Sequence, residues 1–139
     1  MDIINEKSGI NLADNSWKIY ARNTAEHPHV TGSEAKIINS LVTEGCEIDG
    51  TVINSVISSG VKIAEGAIVE NSVIMPNAII EPGAEIKYAI VGQGAKIGKC
   101  AKVGDTQKPV SNGQWKIAVV GPYGTVKDKA IVPIGEMVD

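Results

Sequence analysis

Residues 39–48 (NSLVTEGCEI), 54–63 (NSVISSGVKI) and 71–80 (NSVIMPNAII) are three versions of one ten-residue sentence. They begin 15 and then 17 residues apart. A recurrence of this kind marks a repeat architecture, so its period is the first thing to resolve. The aliphatic residues supply it. Val42, Ile48, Val52, Ile57, Ile63, Val69, Ile74, Ile80, Ile86, Val91, Ile97 and Val103 follow one another at steps of 6, 4, 5, 6, 6, 5, 6, 6, 5, 6 and 6. Three steps make one period of 17, and the single step of four accounts for the 15.

Two more registers run beside this ladder. Two residues before each ladder position stand Ser40, Cys46, Gly50, Ser55, Val61, Ala67, Ser72, Ala78, Ala84, Ala89, Ala95 and Ala101, all small except Val61. One residue earlier stand Asn39, Gly45, Asp49, Asn54, Gly60, Gly66, Asn71, Asn77, Gly83, Tyr88, Gly94 and Cys100. Ten of these twelve are Gly, Asn or Asp, which tolerate a left-handed backbone at a sharp corner.

Each step therefore reads as a short strand with its aliphatic residue inward, followed by a corner that admits only a small side chain. Three strands close a triangular coil, and coils stack at about 4.8 Å. Outward positions then take Lys36, Glu47, Lys62, Glu85, Lys96 and Lys102. A helix would need apolar steps of three and four, which the ladder lacks. A sandwich would need a hairpin dipeptide between most of its strands, and most steps of the ladder carry none. The fold class expected is all-β, a single-stranded parallel β-helix.

The coils are expected from residue 31 to the end of the chain. A loop insertion falls near 105–115, and a final coil over 116–139 resumes the six-residue step at Val120, Val126 and Val132. Residues 1–30 carry no ladder and read as a lead-in packed on the β-helix, with Trp17 and Tyr20 buried by that docking.

Composition narrows the function. The chain has 139 residues, a net charge of -3, no Phe, two Trp and three Tyr, so Ile, Val and Ala fill the core almost alone. Nothing in this balance suggests nucleic acid, and no segment is apolar enough to span a membrane. The opening MDIINEKSG lacks the basic start and apolar run of a signal peptide, which implies a cytoplasmic location. Cys46 and Cys100 fall about three coils apart, roughly 14 Å by stacking. That is too far for a disulfide, so two free thiols are expected, Cys46 buried.

The hexapeptide spacing resembles the left-handed β-helix family, and the handedness expected here comes from that resemblance. Acyltransferases on this scaffold use a histidine base in a coil, and carbonic-anhydrase-like members use three histidines at a metal. The only histidines here are His27 and His29, both in EHPHV ahead of the first coil. A zinc site wants at least three protein ligands, so neither enzyme class fits. GQGAKIG, from Gly92, is glycine-rich, but its glycines fall on coil corners and do not make a phosphate loop.

A sharper likeness runs through WKIYARN from Trp17, HPH at His27, AKIINSLVTEGCEIDGTVINSV from Ala35 and GAIVENSVIMPNAII from Gly66. These stretches resemble the C-terminal domain of bacterial glucose-1-phosphate adenylyltransferases, also called ADP-glucose pyrophosphorylases. The resemblance implies a regulatory and oligomerisation domain in glycogen synthesis. It implies partners in the enzyme's own catalytic domain and in other subunits of a homo-oligomer. The family's catalytic domain joins ATP and glucose 1-phosphate, with Mg²⁺, into ADP-glucose and pyrophosphate. No stretch of this chain corresponds to that domain, so no catalytic, cofactor-binding or metal-binding residue carries over. The alternative is a free-standing β-helix with a binding or scaffold role, or a separately encoded regulatory relative.

Two features rise above the repeat. Leu41, Val56, Val73 and Ile90 each precede a ladder residue on the same face of successive coils, making an outward apolar stripe. Such a column marks a contact surface and is the expected interface. Residues 86–130 carry eight lysines against Asp105 and Asp128, a net of +6, while the remainder carries -9. The family responds to phosphorylated metabolites or inorganic phosphate. Lys96, Lys99, Lys102 and Arg22, the only arginine, are therefore the candidates for holding an anionic effector.

Overall fold

A computed structural model of the chain describes residues 26–104 and 117–139. The expected lead-in contacts of Trp17 and Tyr20, the loop near 105–115, and Arg22 lie outside those residues. Among the described residues every regular element is a strand, and the strands form three parallel sheets of six. The architecture is a left-handed parallel β-helix.

The first face stacks Val30–Thr31, Glu47–Ile48, Lys62–Ile63, Ile79–Ile80, Lys96–Ile97 and Thr125–Val126. The second stacks Lys36–Ile38, Thr51–Ile53, Ile68–Glu70, Glu85–Lys87, Lys102–Gly104 and Ile131–Val132. The third stacks Leu41–Val42, Val56–Ile57, Val73–Ile74, Ala89–Val91, Ala118–Val120 and Met137–Val138. The first strand takes in Val30, one residue ahead of the expected start, and pairs Val30 with Glu47 and Thr31 with Ile48.

The core is the ladder. Eleven of the twelve ladder positions, from Ile48 to Val103, are at most 1% exposed, and Val42 in the open first coil is partly buried. A buried Ile is worth about 1.5–3 kcal/mol relative to exposure, so repetition of one small gain stabilises the stack. Ala67, Ala78, Ala84, Ala95 and Ala101 fill the turns into the strands. Val61 breaks the small-residue rule and is still fully buried.

The corners behave as their residue types require. Of the twelve expected left-handed positions, eleven have positive φ, including Tyr88 at 48° and Cys100 at 54°. Asp49 is the exception. Its corner is two residues shorter than the matching turns, and the tight turn does not pass through the left-handed region. Gly50 is needed there for space, because a Cβ would sit 2.5 Å from the Ala67 carbonyl oxygen and 2.9 Å from that of Ala64.

The recurring Asn-Ser pair has its own account. Asn39, Asn54 and Asn71 turn the corner between the second and third faces with φ of 44°, 47° and 48°. Each following serine donates its hydroxyl two residues back: Ser40 to the Ile38 carbonyl, Ser55 to Ile53 and Ser72 to Glu70. Each also accepts a backbone N–H from the next coil, from Ser55, Ser72 and Ala89 in turn. A corner N–H that a strand ladder would leave unpaired is thus satisfied, and the third face is held in register.

Candidate functional site

The third face differs from the others in chemistry. Its six strands contain no charged residue. Leu41 stands opposite Val56, Val56 opposite Val73, and Val73 opposite Ile90, all pointing away from the core. The column continues through Val119 and Met137, which sequence reasoning did not include. A signal was available. Val119 precedes Val120 as Ile90 precedes Val91, but the insertion after Gly104 interrupts the count. The residues after the first five strands, Thr43, Ser58, Met75, Gly92 and Gly121, are uncharged as well.

The other faces carry charge in the corresponding positions. On the first, Lys62 Nζ lies 3.0 Å from Glu47 Oε1, and Lys96 Nζ 3.1 Å from Glu81 Oε1. On the second, Lys102 Nζ lies 3.2 Å from Glu85 Oε1, and Lys87 Nζ 3.8 Å from Glu85 Oε2. All four pairs keep some access to solvent, and surface pairs are worth about 0–1 kcal/mol each, so they keep two faces solvated more than they stabilise the fold. Loss of charge from one face out of three is the compositional mark of a contact surface.

The three described anion candidates are spread around the coil. Lys96 is on the first face, paired with Glu81; Lys102 is on the second, paired with Glu85. Lys99 sits at the corner between them, where its backbone N–H donates to Asp128 Oδ1 at 2.9 Å. Lys127 and Lys129 flank that aspartate in the next coil.

His27 and His29 are exposed, and the His27 carbonyl accepts the Gly45 N–H at 2.6 Å. Among the described residues no group of three or more His, Cys, Asp or Glu could hold a metal. Both cysteines are free thiols. Cys46 is buried and donates to the Ser58 carbonyl at 3.1 Å; burial pushes its thiol pKa up, partly offset by backbone hydrogen bonds. Cys100 is exposed. An open depression of about 490 Å³ borders Cys46, lined by Glu26, His27, Glu47, Lys62 and Asn77 among others. It has no buried polar group lacking a partner.

Comparison with known proteins places this geometry. The family described as "GlmU-like, C-terminal hexapeptide" matches residues 24–130. The chain belongs to that family. This hexapeptide domain is 45% identical over 70 residues to the glucose-1-phosphate adenylyltransferase of Geobacillus stearothermophilus, covering 50% of this chain and 18% of that protein. It is 40% identical over 72 residues to the Clostridium botulinum (strain Eklund 17B / Type B) glucose-1-phosphate adenylyltransferase, covering 52% and 19%. The match falls on their C-terminal region, so the domain is related to that part of the enzyme.

Solved structures share its fold. The acetyltransferase domain of PglB from Neisseria gonorrhoeae, in complex with acetyl coenzyme A, superposes with a TM-score of 0.62 at 20% identity, over 81% of this chain and 54% of that one. A perosamine N-acetyltransferase mutant from Caulobacter crescentus gives 0.60 at 18% identity, over 78% and 52%. At these identities the likeness is one of fold alone. Among the described residues no helix is long and apolar enough to cross a membrane.

Proposed function

We propose that this hexapeptide domain is the regulatory and assembly β-helix of a glucose-1-phosphate adenylyltransferase. Its catalytic domain, lying outside this chain, would make ADP-glucose and pyrophosphate from ATP and glucose 1-phosphate, with Mg²⁺, for glycogen synthesis. The observation that carries the reading is the uncharged third face, six coils tall, on a domain related to the C-terminal region of those enzymes. A rigid sheet face needs no ordering on contact, which suits a surface that transmits assembly. On this reading the nucleotidyl transfer belongs to that catalytic domain. The part of this chain is to hold subunits together and to bias the catalytic domain, with phosphorylated metabolites or inorganic phosphate as the effector class.

Adding the chain to the Geobacillus stearothermophilus enzyme truncated before its matched region tests this. ADP-glucose formation should rise on addition and respond to a phosphorylated metabolite or to phosphate. A rate unchanged at saturating chain would overturn the reading.

A further inference from the structure

The two ends of the β-helix are not equally closed. In the last coil the inward residues Val126 and Val132 are 3% and 4% exposed, nearly as well covered as the interior. In the first coil Ile37, the inward partner of Val52, is 37% exposed, Thr31 is exposed and Val42 is half-buried. A stacked repeat whose core ends on an exposed isoleucine needs a terminal cap. We propose that the cap is this chain's own residues 17–25 (WKIYARNTA), which continue the β-helix beneath the first coil and close its open end with Trp17 and Tyr20.

The described chain already enters in phase with such a strand. The His27 carbonyl accepts the Gly45 N–H, just as the Glu44, Ser59, Pro76 and Gln93 carbonyls accept those of Gly60, Asn77, Gly94 and Tyr123. Glu26 therefore holds the place of Thr43, Ser58 and Met75, the residues that follow third-face strands. One residue back, Ala25 falls in line with Val42, Ile57 and Ile74, and Thr24 with Leu41, Val56 and Val73. On the second face the inward residue stands five places earlier, as Ile37 does from Val42, Val52 from Ile57 and Val69 from Ile74. Five places before Ala25 is Tyr20. Among the described residues the buried interior holds no aromatic ring. The Tyr20 ring then lies across the open end, over Ile37, with Trp17 beside it.

Two observations favour this segment over a separate partner. It is attached at Glu26, which sits on the rim itself with its Cβ 3.0 Å from where a Cβ on Gly45 would stand. Docking is then intramolecular and avoids the cost of bringing two molecules together. Charge is also complementary. Residues 26–50 carry Glu26, Glu34, Glu44, Glu47 and Asp49 against Lys36, a net of -4. The only charged side chains of residues 17–25 are Lys18 and Arg22, a net of +2.

Thiol chemistry on the full chain, in a Cys100→Ser background, tests the placement. Neighbouring strands lie about 4.8 Å apart, so Thr24→Cys combined with Leu41→Cys should be bridged within one molecule by dibromobimane, at a rate independent of protein concentration. Thr24→Cys combined with Met137→Cys, at the far end of the same face, should not be bridged. No bridge to position 41, or one that forms only between molecules and so assigns the rim to a second copy, overturns the proposal. The cover is read separately. A thiol reagent should attack Ile37→Cys at least tenfold faster once Trp17→Ala and Tyr20→Ala are added, while Cys46 stays unreactive and so reports an intact fold. Equal rates at position 37 with and without the two rings would overturn the cap.

Discussion

Ser55 Oγ accepts the backbone N–H of Ser72, one coil on, at 3.2 Å, while donating to the Ile53 carbonyl at 2.7 Å. Ser55 is fully buried, so no water stands in for it. The column ends at Ala89, and there the next N–H, that of Ala118, turns to the Tyr88 carbonyl at a longer 3.4 Å.

Ser55→Ala should therefore orphan the Ser72 N–H and destabilise the fold by about 1–3 kcal/mol. Urea unfolding monitored by circular dichroism measures it, with an unchanged m-value. A midpoint equal to the parent's would mean that the corner N–H finds another acceptor.

Gly104 is the last residue before the insertion, and its backbone has φ of +83°. A Cβ there would overlap the Lys87 carbonyl oxygen. Gly104→Ala combines that overlap with a left-handed strain of about 1–3 kcal/mol. It should lower the melting temperature more than Gly66→Ala, whose nearest neighbours to a new Cβ are 3.8 and 3.9 Å away. Equal losses at both sites would contradict this close approach.

The two thiols should separate cleanly. Cys100 should react with a thiol reagent in the folded protein, and Cys46 only on unfolding. Because burial raises the folded pKa of Cys46, the folded state favours the protonated thiol. The corresponding stability is fully present below the ordinary thiol pKa and falls as pH rises toward the folded value. Cys46→Ala should remove that alkaline decline. A slope that survives the substitution would assign it to other groups.

The ladder was legible because β-helix coils repeat a burial pattern at near-constant spacing, and Ile48 through Val103 sit where that spacing puts them. The outward column was legible for the same reason as far as Ile90. It was cut short because the six-residue step is interrupted in the sequence between Gly104 and Val119. Asp49 was misread because residue type alone does not tell a four-residue corner from a six-residue one. The pairing of Lys96 with Glu81 and of Lys102 with Glu85 was not legible either. Spacing gives the rung a side chain stands on, while the partner it reaches depends on neighbouring rungs and corners.

The most direct measurement is immunoprecipitation from the protein's own cells with an antibody against this chain, followed by assay of the precipitate for ADP-glucose formation from ATP and glucose 1-phosphate. The expected result is that most of the extract's ADP-glucose-forming activity is carried down. A precipitate that contains the chain and is devoid of that activity would contradict its assignment to a glucose-1-phosphate adenylyltransferase.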